Sequence, residues 1–400
     1  MKKQYFRFFL VEIMIIFLPF FSYASSENST LDNMPSINAR HAVVFDRNSK
    51  HIIYGKKEYE VCKMASTTKI MTAIIVLENS DLQDTVFVSS NAARIGGSRL
   101  GLKLNDKITV ENLLYGLMMK SGNDAAIALA EHVGGSVDSF ASMMNKKAEN
   151  LNLSSTHFVT PHGLDDDNHY TTAYDLACLS DYALKNETFL KIVRTKTYTI
   201  YYSGHSKTIS NTNELLGNLD GIYGIKTGFT NGANRCLVTA CKRGDLDIIC
   251  VVLGCDTKNN RTDDSINLIN YTFNNFSLVN IKDIITQDFE EWFAINKNSF
   301  TINKGLSQFL DLYLDPNDFT FSHAAVNNLD LEKIETDISF DSYLDAPLQN
   351  NSKIGTIVLK INNTNFLTVK ILNSNSISKK NFFYYIFYIF EHYYNFFINK

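Results

Sequence analysis

Three short groups of polar residues, far apart in the sequence, have the residue types and the spacing of a hydrolytic site. Ser66 and Lys69 form an S-x-x-K pattern, Ser121 and Asn123 flank a glycine, and Lys226 begins the tripeptide K-T-G. A serine hydroxyl is a poor nucleophile near neutral pH unless a base lies beside it. Together the three groups predict nucleophilic chemistry by a serine, with a lysine as its base.

The S-x-x-K group begins a helical pattern over residues 66–79. On a helix, a spacing of three residues places Lys69 on the same face as Ser66, about one turn away. A lysine acts as a base only while it is neutral, and burial and nearby cations favour that form. The first turn also offers unpaired backbone N–H groups to a developing oxyanion. Because the pattern recurs at Ser376, an ordinary helix cap at Ser66 stays open on this motif alone.

The second group lies between helical patterns at 110–119 and 123–133, and it predicts a tight turn between two helices. A turn that only caps the second helix is one interpretation. In a catalytic site, Ser121 would relay a proton to a leaving amine and Asn123 would hold a substrate amide.

The K-T-G group follows an extended, glycine-spaced segment at 221–225. Glycine within a strand often marks a place where a ligand or another backbone approaches closely. A strand edge of this kind suits pairing with a peptide, with Lys226 and Thr227 binding a carboxylate. An exposed edge lysine without a ligand is the alternative interpretation.

The composition limits the class of protein. With 400 residues, 45% of them hydrophobic and 20% charged, the chain is long enough for two domains with buried cores. The formal net charge of −4 gives no electrostatic basis for a nucleic-acid partner. No Cys or His spacing suggests zinc, so neither a metal nor a cofactor is predicted. Buried thiols rather than disulfides are predicted for the six cysteines, Cys62, Cys178, Cys236, Cys241, Cys250 and Cys255.

The hydrophobic pattern predicts the elements that position these groups. Strand patterns come first, helical patterns follow, and strand patterns return before about residue 276. This order indicates an α+β domain over residues 39–276, with an antiparallel sheet packed against a helical cluster. The predicted strands are 42–45, 52–54, 236–242 and 247–254, and the predicted helices are 66–79, 110–119, 123–133 and 137–150.

The N-terminus has the pattern of an export signal. Basic residues precede an apolar run from Phe8 to Phe21, and a small-x-small site ends at Ala24. This predicts a secretory signal peptide at 1–24, followed by a polar linker at 25–38. The alternative is an uncleaved anchor, although the run is short for a membrane span.

After the predicted catalytic domain the helical signals fade. Alternating strand patterns at 356–361 and 366–371 flank a short polar stretch, which is a hairpin signal. A smaller β-rich domain is therefore predicted over residues 278–372.

The last segment, 379–400, predicts an amphipathic helix rich in aromatic residues. Such a helix would lie at the surface of a bilayer. Docking on the protein's own core is the alternative, and a span is disfavoured because Glu391 and His392 would lie near mid-membrane. The predicted polar face comprises Asn381, Tyr385, Tyr388, His392, Asn395 and Asn399.

The three motifs, in this order, resemble those of the serine penicillin-recognising fold. The surrounding sequences at 65–73, 121–126, 161–164 and 224–230 resemble low-molecular-mass penicillin-binding proteins, the serine D-Ala-D-Ala carboxypeptidases of peptidase family S11. The resemblance covers residues 37–276 strongly and extends more loosely to the C-terminal helix. It implies a β-lactamase-like transpeptidase domain, followed by a small β-rich domain and an amphipathic anchor.

The resemblance also implies roles for individual residues. Ser66 is expected to be the acylated nucleophile, Lys69 its base and Ser121 a proton shuttle. The implied partners are peptidoglycan stem peptides ending in D-Ala-D-Ala, β-lactams as covalent inhibitors, and the outer face of the cytoplasmic membrane. Residues expected to bind substrate are Asn123, Lys226, Thr227, Gly228 and Arg261.

Two positions depart from the family pattern. Residues 61–64 replace a more usual proline-rich segment before the catalytic helix, which mainly affects packing. Phe229 follows K-T-G where some relatives have histidine, which would alter turnover more than reaction type. His162 and His169 offer a Ser-His alternative, but Lys69 already fills the role of base.

The sequence leaves three rival functions open. A β-lactamase of class A would need a glutamate that holds the deacylating water, and no glutamate between the second and third motifs has the E-x-x-L-N setting. A DD-endopeptidase acting on cross-links would use the same chemistry with a different leaving group. A non-catalytic wall-binding protein would not need every one of these side chains. The glutamates in question are Glu131, Glu149, Glu187 and Glu214.

Overall fold

The structure, a computed structural model, describes residues 34–398. From Ser36 onward the chain forms one compact unit. The predicted signal peptide and most of the predicted linker lie outside the described residues.

The first large part of the chain combines a central sheet with helices, as the α+β prediction requires. The nine strands are β1 (His41–Asp46), β2 (Ile52–Lys56), β3 (Thr85–Phe87), β4 (Lys107–Thr109), β5 (Thr197–Tyr202), β6 (His205–Ser210), β7 (Ile222–Thr230), β8 (Asn234–Arg243) and β9 (Leu246–Cys255). The eight helices are α1 (Lys69–Asn79), α2 (Ser90–Arg94), α3 (Val110–Met119), α4 (Asn123–Gly134), α5 (Val137–Asn150), α6 (Ala173–Ala183), α7 (Glu187–Arg194) and α8 (Lys258–Asn275).

Five of these strands form an antiparallel sheet in the order β2-β1-β9-β8-β7, with β7 at an edge. The middle of β9 is an unbroken apolar run that is buried on both faces. Successive side chains of a strand point to opposite faces of the sheet, and both faces of β9 are covered. Ile249 and Val251 pack with the large helical cluster on one face, and Ile248 and Cys250 pack against α8 on the other. The sheet is therefore the middle layer, and its edge strand β7 carries the K-T-G motif.

Helix α1 lies at the centre of the helical layer. Its first eight residues are all buried, and six of them are apolar, as expected for a helix that is surrounded by other elements. The predicted helical start at Ser66 is wrong by three residues, because residues 65–68 form a 3₁₀ turn and the α-helix begins at Lys69. The hydroxyl groups of Thr67 and Thr68 donate back to the carbonyls of residues 64 and 65, and such local bonds compete with regular α-helix.

The remaining helix predictions at 110–119, 123–133 and 137–150 are confirmed to within one residue. Thr109 and Ser136 cap α3 and α5 by accepting backbone N–H bonds. Gly135 ends α4 in the left-handed conformation, with φ of 76°.

The second large part has a hydrophobic core of its own, formed by residues between 281 and 377. A four-stranded sheet in the order β12-β17-β16-β14 is its largest element. Its elements are β10 (Phe276–Asn280), α9 (Ile281–Asn296), β11 (Thr301–Asn303), β12 (Leu312–Leu314), β13 (His323–Asn327), β14 (Ile334–Phe340), β15 (Tyr343–Asp345), β16 (Lys353–Ile361) and β17 (Thr364–Asn373).

Two details of this part differ from prediction. Helix α9 was not predicted, although Ile281, Ile285 and Phe289 recur every four residues and form its buried stripe. The predicted hairpin is confirmed, but its loop is only Asn362 and Asn363, with φ of 50° and 61°. Two successive residues with positive φ are the signature of a tight type I′ turn, so the strands extend further than the apolar runs indicate.

The last helix, α10 (Phe382–Ile398), exposes most of its large apolar side chains. From residue 382 to 395 only Tyr384 and Ile386 are half-buried, and the others are exposed. The alternative of a helix docked on the protein's own core therefore does not hold for this segment. Among the described residues, no helix has the length and apolarity needed to cross a membrane.

Candidate active site

The amine of Lys69 lies at the centre of a polar cluster where α1 begins. Its Nζ is 2.8 Å from Ser66 Oγ, 2.8 Å from Asn123 Oδ1 and 2.8 Å from the backbone oxygen of His162. A neutral amine donates two hydrogens and accepts one. If the two oxygens of Asn123 and His162 take those hydrogens, the lone pair faces the Ser66 hydroxyl. This geometry suits transfer of the serine proton to the lysine.

The environment of Lys69 favours the neutral amine. The side chain is completely buried, and loss of water lowers its pKa well below the ordinary value of 10.5. The charge of Lys226 lowers the pKa further, whereas the carboxylate of Asp124 opposes the shift. A lysine so placed is able to act as a general base near neutral pH.

The loop at residues 161–164 contributes its backbone rather than an imidazole. The carbonyl of His162 accepts from Lys69, while its ring Nδ1 accepts the N–H of Leu164. Burial lowers the pKa of His162 to about 3, so its ring is neutral. Gly163 has φ of 82°, and a Cβ there would lie 2.0 Å from the carbonyl oxygen of Ala65. The loop therefore packs directly on the turn that carries Ser66.

His169 supports the same turn from a second side. Its Nε2 lies 2.8 Å from the hydroxyl of Thr68, and its Nδ1 accepts the N–H of Val159. Because Nδ1 is an acceptor, the neutral ring carries its hydrogen on Nε2 and donates to Thr68. His169 thus helps to hold the turn at residues 65–68 in position through Thr68.

The second motif forms the turn between α3 and α4. Ser121 has φ of 61° and is nearly buried, and its position lines the same cavity as Ser66. The amide of Asn123 is oriented by donating from Nδ2 to the carbonyl of Gly96, which leaves Oδ1 for Lys69. Asp124 anchors the facing loop by accepting the N–H groups of residues 100–102.

The third motif lies on the edge strand β7. Lys226 is 1% exposed and donates to the carbonyl of Thr227, whose hydroxyl lies 2.8 Å from that of Thr212. Burial, together with the charge of Arg261, lowers the pKa of Lys226 to about 7. A Cβ on Gly228 would come within 3.2 Å of the backbone nitrogen of Ser66, so glycine keeps the space beside Ser66 open.

A cavity of about 460 Å³ connects the three motifs. Three of the predicted site residues are buried and do not line this cavity, namely Lys69, Asn123 and Lys226. Those that line it are Ser66, Ser121, Thr227, Gly228 and Arg261. A larger cavity, of about 690 Å³, lies beside β3 and α5 and includes none of the predicted site residues.

Seven further residues line the catalytic cavity without having been predicted as part of a site. Phe229 is 47% exposed and lies under the guanidinium of Arg235, 3.7 Å from ring centroid to Cζ. From the sequence alone, Phe229 was noted only as a departure from the family pattern and Glu214 only as a candidate deacylating residue. No sequence motif includes the other five. They are Ser98, Asn211, Thr212, Glu214, Phe229, Arg235 and Lys258.

A family model described as D-alanyl-D-alanine carboxypeptidase matches residues 28–257. The chain belongs to this family, peptidase family S11. The match covers more than half of the chain and includes all three motifs, whereas the predicted site residue Arg261 lies beyond it. The protein is accordingly a serine peptidase of a penicillin-binding family.

Individual relatives of this S11 chain extend the similarity beyond the catalytic part. The D-alanyl-D-alanine carboxypeptidase DacF of Bacillus subtilis is 30% identical over 364 residues, covering 88% of each chain. The D-alanyl-D-alanine carboxypeptidase DacC of Escherichia coli is 31% identical over 376 residues, covering 87% of this chain and 86% of that protein. The solved structure of penicillin binding protein 5 from Haemophilus influenzae has a TM-score of 0.71 at 26% identity, over 87% of this chain and 99% of that chain.

Proposed function

We propose that this protein removes the terminal D-alanine from peptidoglycan stem peptides that end in D-Ala-D-Ala. The observation that carries the proposal is the buried Lys69 amine, 2.8 Å from the hydroxyl of Ser66. The names of the relatives in the same family support this substrate and this bond.

In the acylation step, Ser66 Oγ attacks the carbonyl carbon of the penultimate D-alanine and its proton passes to Lys69. Backbone N–H groups in the first turn, including that of Ser66, face the developing oxyanion. The C–N bond to the terminal D-alanine then breaks, and Ser121 relays the proton to the leaving amine. The product is an ester on Ser66 and free D-alanine.

The leaving residue is recognised by its carboxylate. Lys226 in its cationic form, the hydroxyl of Thr227 and the guanidinium of Arg261 supply positive charge and donors at one end of the cavity. Asn123 orients the amide on the acyl side. Water then attacks the ester carbonyl while Lys69 takes a proton from it. Lys69 passes that proton to Ser66 Oγ as the ester C–O bond breaks, which restores the serine hydroxyl and releases the shortened peptide as a carboxylate.

The direct test is mass spectrometry of the intact protein after exposure to benzylpenicillin, together with an assay for D-alanine release from a pentapeptide. The wild type is expected to carry one adduct on Ser66 and to release D-alanine. Ser66→Ala should lose both activities by several orders of magnitude because the nucleophile is absent. A wild-type protein that releases no D-alanine would overturn the proposal.

The same experiment separates the rival enzymes. A stable adduct at one per chain supports a carboxypeptidase, whereas rapid turnover of a chromogenic cephalosporin indicates a β-lactamase. Release of cross-linked peptides from intact wall material would indicate endopeptidase activity, which uses the same nucleophile.

We further propose that residues 39–276 form the catalytic domain and 278–372 a separate β-rich domain, and that the enzyme acts outside the cytoplasm. The exposed aromatic residues of α10 support attachment to the outer surface of the cytoplasmic membrane, since an interfacial helix buries its apolar face among lipids. The signal-peptide pattern at 1–24 supports export.

A further inference from the structure

Glu214 places a negative charge at the end of the catalytic cavity where a carboxylate is expected to bind. It follows β6 and accepts hydrogen bonds from three side chains of the first turns of α8. These are Lys258 Nζ at 2.5 Å, Arg261 Nη2 at 3.0 Å and the hydroxyl of Thr262. Glu214 thus connects the segment after β6 to the start of α8.

Arg261 depends on this contact. It is 4% exposed, and within the described part of the chain its Nε has no hydrogen-bond acceptor. Glu214 is the one acidic group that pairs with it among the described residues. A guanidinium carries five N–H donors, so donors remain for a second carboxylate that binds bidentately.

The charge state of Glu214 suits this role. Burial alone would raise its pKa, but hydrogen bonds from Lys258 and Thr262 and the charges of Arg261 and Lys258 hold it below its ordinary value. Glu214 is therefore ionised at neutral pH. Its position at the N-terminal end of α8 also lets it interact favourably with the helix dipole.

We propose that Glu214 is a positioning residue, which holds the guanidinium of Arg261 in the orientation that receives the C-terminal carboxylate of the substrate. The inference rests on the proposed function, because that function assigns the carboxylate to Arg261. Without Glu214, the nearly buried Arg261 loses its hydrogen-bond acceptor, and its guanidinium is no longer held in one orientation. The cavity then recognises the carboxylate less well while the nucleophile is unchanged.

Glu214 could also weaken carboxylate binding, which is the main alternative to a positioning role. A carboxylate beside Arg261 also repels a second anion and occupies one of its donors. If competition dominated, removal of Glu214 would strengthen the response to an anionic ligand. The sign of the change therefore distinguishes positioning from competition.

The test compares acylation by benzylpenicillin with acylation by its methyl ester, in which an uncharged methyl ester replaces the carboxylate. The second-order rate constant for adduct formation is measured by mass spectrometry for wild type, Glu214→Ala and Glu214→Gln. For Glu214→Ala we expect the rate with the acid to fall about tenfold and the rate with the ester to change less than about twofold. Glu214→Gln retains one acceptor oxygen and should show a smaller loss.

Glu78→Ala is the matched control, because Glu78 forms a comparable half-buried ion pair with Lys147 outside the cavity. It should leave the ratio of the acid and ester rates unchanged. An equal fall with both compounds in Glu214→Ala, or no fall with the acid, would overturn the inference, and so would a faster reaction with the acid. Because this readout needs only the adduct, a protein that is acylated but releases no D-alanine would refute the proposed function and still decide the role of Glu214.

Discussion

At the scale of single residues, the proposed mechanism gives two fully buried lysines opposite tasks. In the proposed mechanism Lys69 acts as a neutral amine that accepts the proton of Ser66, and Lys226 acts as a cation that binds a carboxylate. Burial lowers the pKa of both groups, because a charge loses its hydration inside the protein. The proposed mechanism therefore predicts that two groups of the same chemical type set the pH range of catalysis.

The pH dependence of kcat/KM should have two limbs. Activity should fall on the acid side as Lys69 becomes protonated, and on the alkaline side, from about pH 7, as Lys226 loses its proton. In Arg261→Gln the alkaline limb should move to higher pH, because the charge of Arg261 lowers the pKa of Lys226. Rates of D-alanine release across the neutral range measure both limbs. An alkaline limb that moves to lower pH in the variant would contradict this assignment.

Residue types and spacing were enough to bring Ser66, Lys69 and Asn123 into one hypothesis, and in the structure Lys69 is within hydrogen-bond distance of both other residues. The carbonyl of His162 could not be predicted in the same way, since every residue has a carbonyl and only the fold decides which one faces the amine. Glu214 was missed for a related reason. Its partners in α8 lie more than 40 positions along the chain and form no recognisable motif.

At the scale of elements, the packing of the 161–164 loop on the catalytic turn makes Gly163 critical. Gly163→Ala should destabilise the protein by roughly 2–5 kcal/mol, because left-handed backbone strain and a backbone collision add together. The rate of acylation should also fall, since Ala65 adjoins the nucleophile. Thermal unfolding and adduct formation measure the two effects.

Gly135→Ala provides the matched control for this change. Gly135 has φ of 76°, but a Cβ there meets nothing within 4 Å. It should therefore cost only the conformational strain, about 1–2 kcal/mol, and leave the acylation rate of the folded protein unchanged. If the two variants lost acylation equally, the contact between the loop and the turn would not be the cause.

Elements with strong periodicity were predictable from the sequence, and those whose pattern is interrupted were not. The helices around the second motif were placed to within one residue. The start of α1 was misplaced because consecutive threonines favour a 3₁₀ turn, a local competition that hydrophobic periodicity does not detect. Helix α9 was missed because only one residue per turn is buried, and the polar and aromatic residues between them weaken the hydrophobic periodicity.

At the scale of the whole molecule, α10 follows a backbone that is firmly tied to the β-rich part. The N–H of Lys380 donates to the carbonyl of Lys304, and residue 377 pairs with Leu348. A chain that ends after Lys380 therefore keeps these bonds. It should retain the wild-type acylation rate and melting temperature but lose its binding to anionic lipid vesicles.

Single substitutions on α10 test the same point without truncation. Phe387→Glu places a charge on an exposed aromatic position outside the predicted polar face, and it should weaken vesicle binding more than Tyr385→Glu on that polar face. Co-sedimentation with vesicles is the measurement. A truncated chain that still sediments, or equal effects of the two substitutions, would show that another surface binds the membrane.

The burial of the six cysteines has a chemical consequence for their reactivity. All six are unpaired, and burial raises the pKa of each thiol, to about 12 for Cys62 and about 11 for Cys178 and Cys236. The thiolate is the form that attacks oxidants and alkylating agents. The folded protein should react only slowly with a thiol-specific dye, whereas in the unfolded protein all six thiols should react. Its fold thus protects the cysteines from oxidation without any disulfide bond.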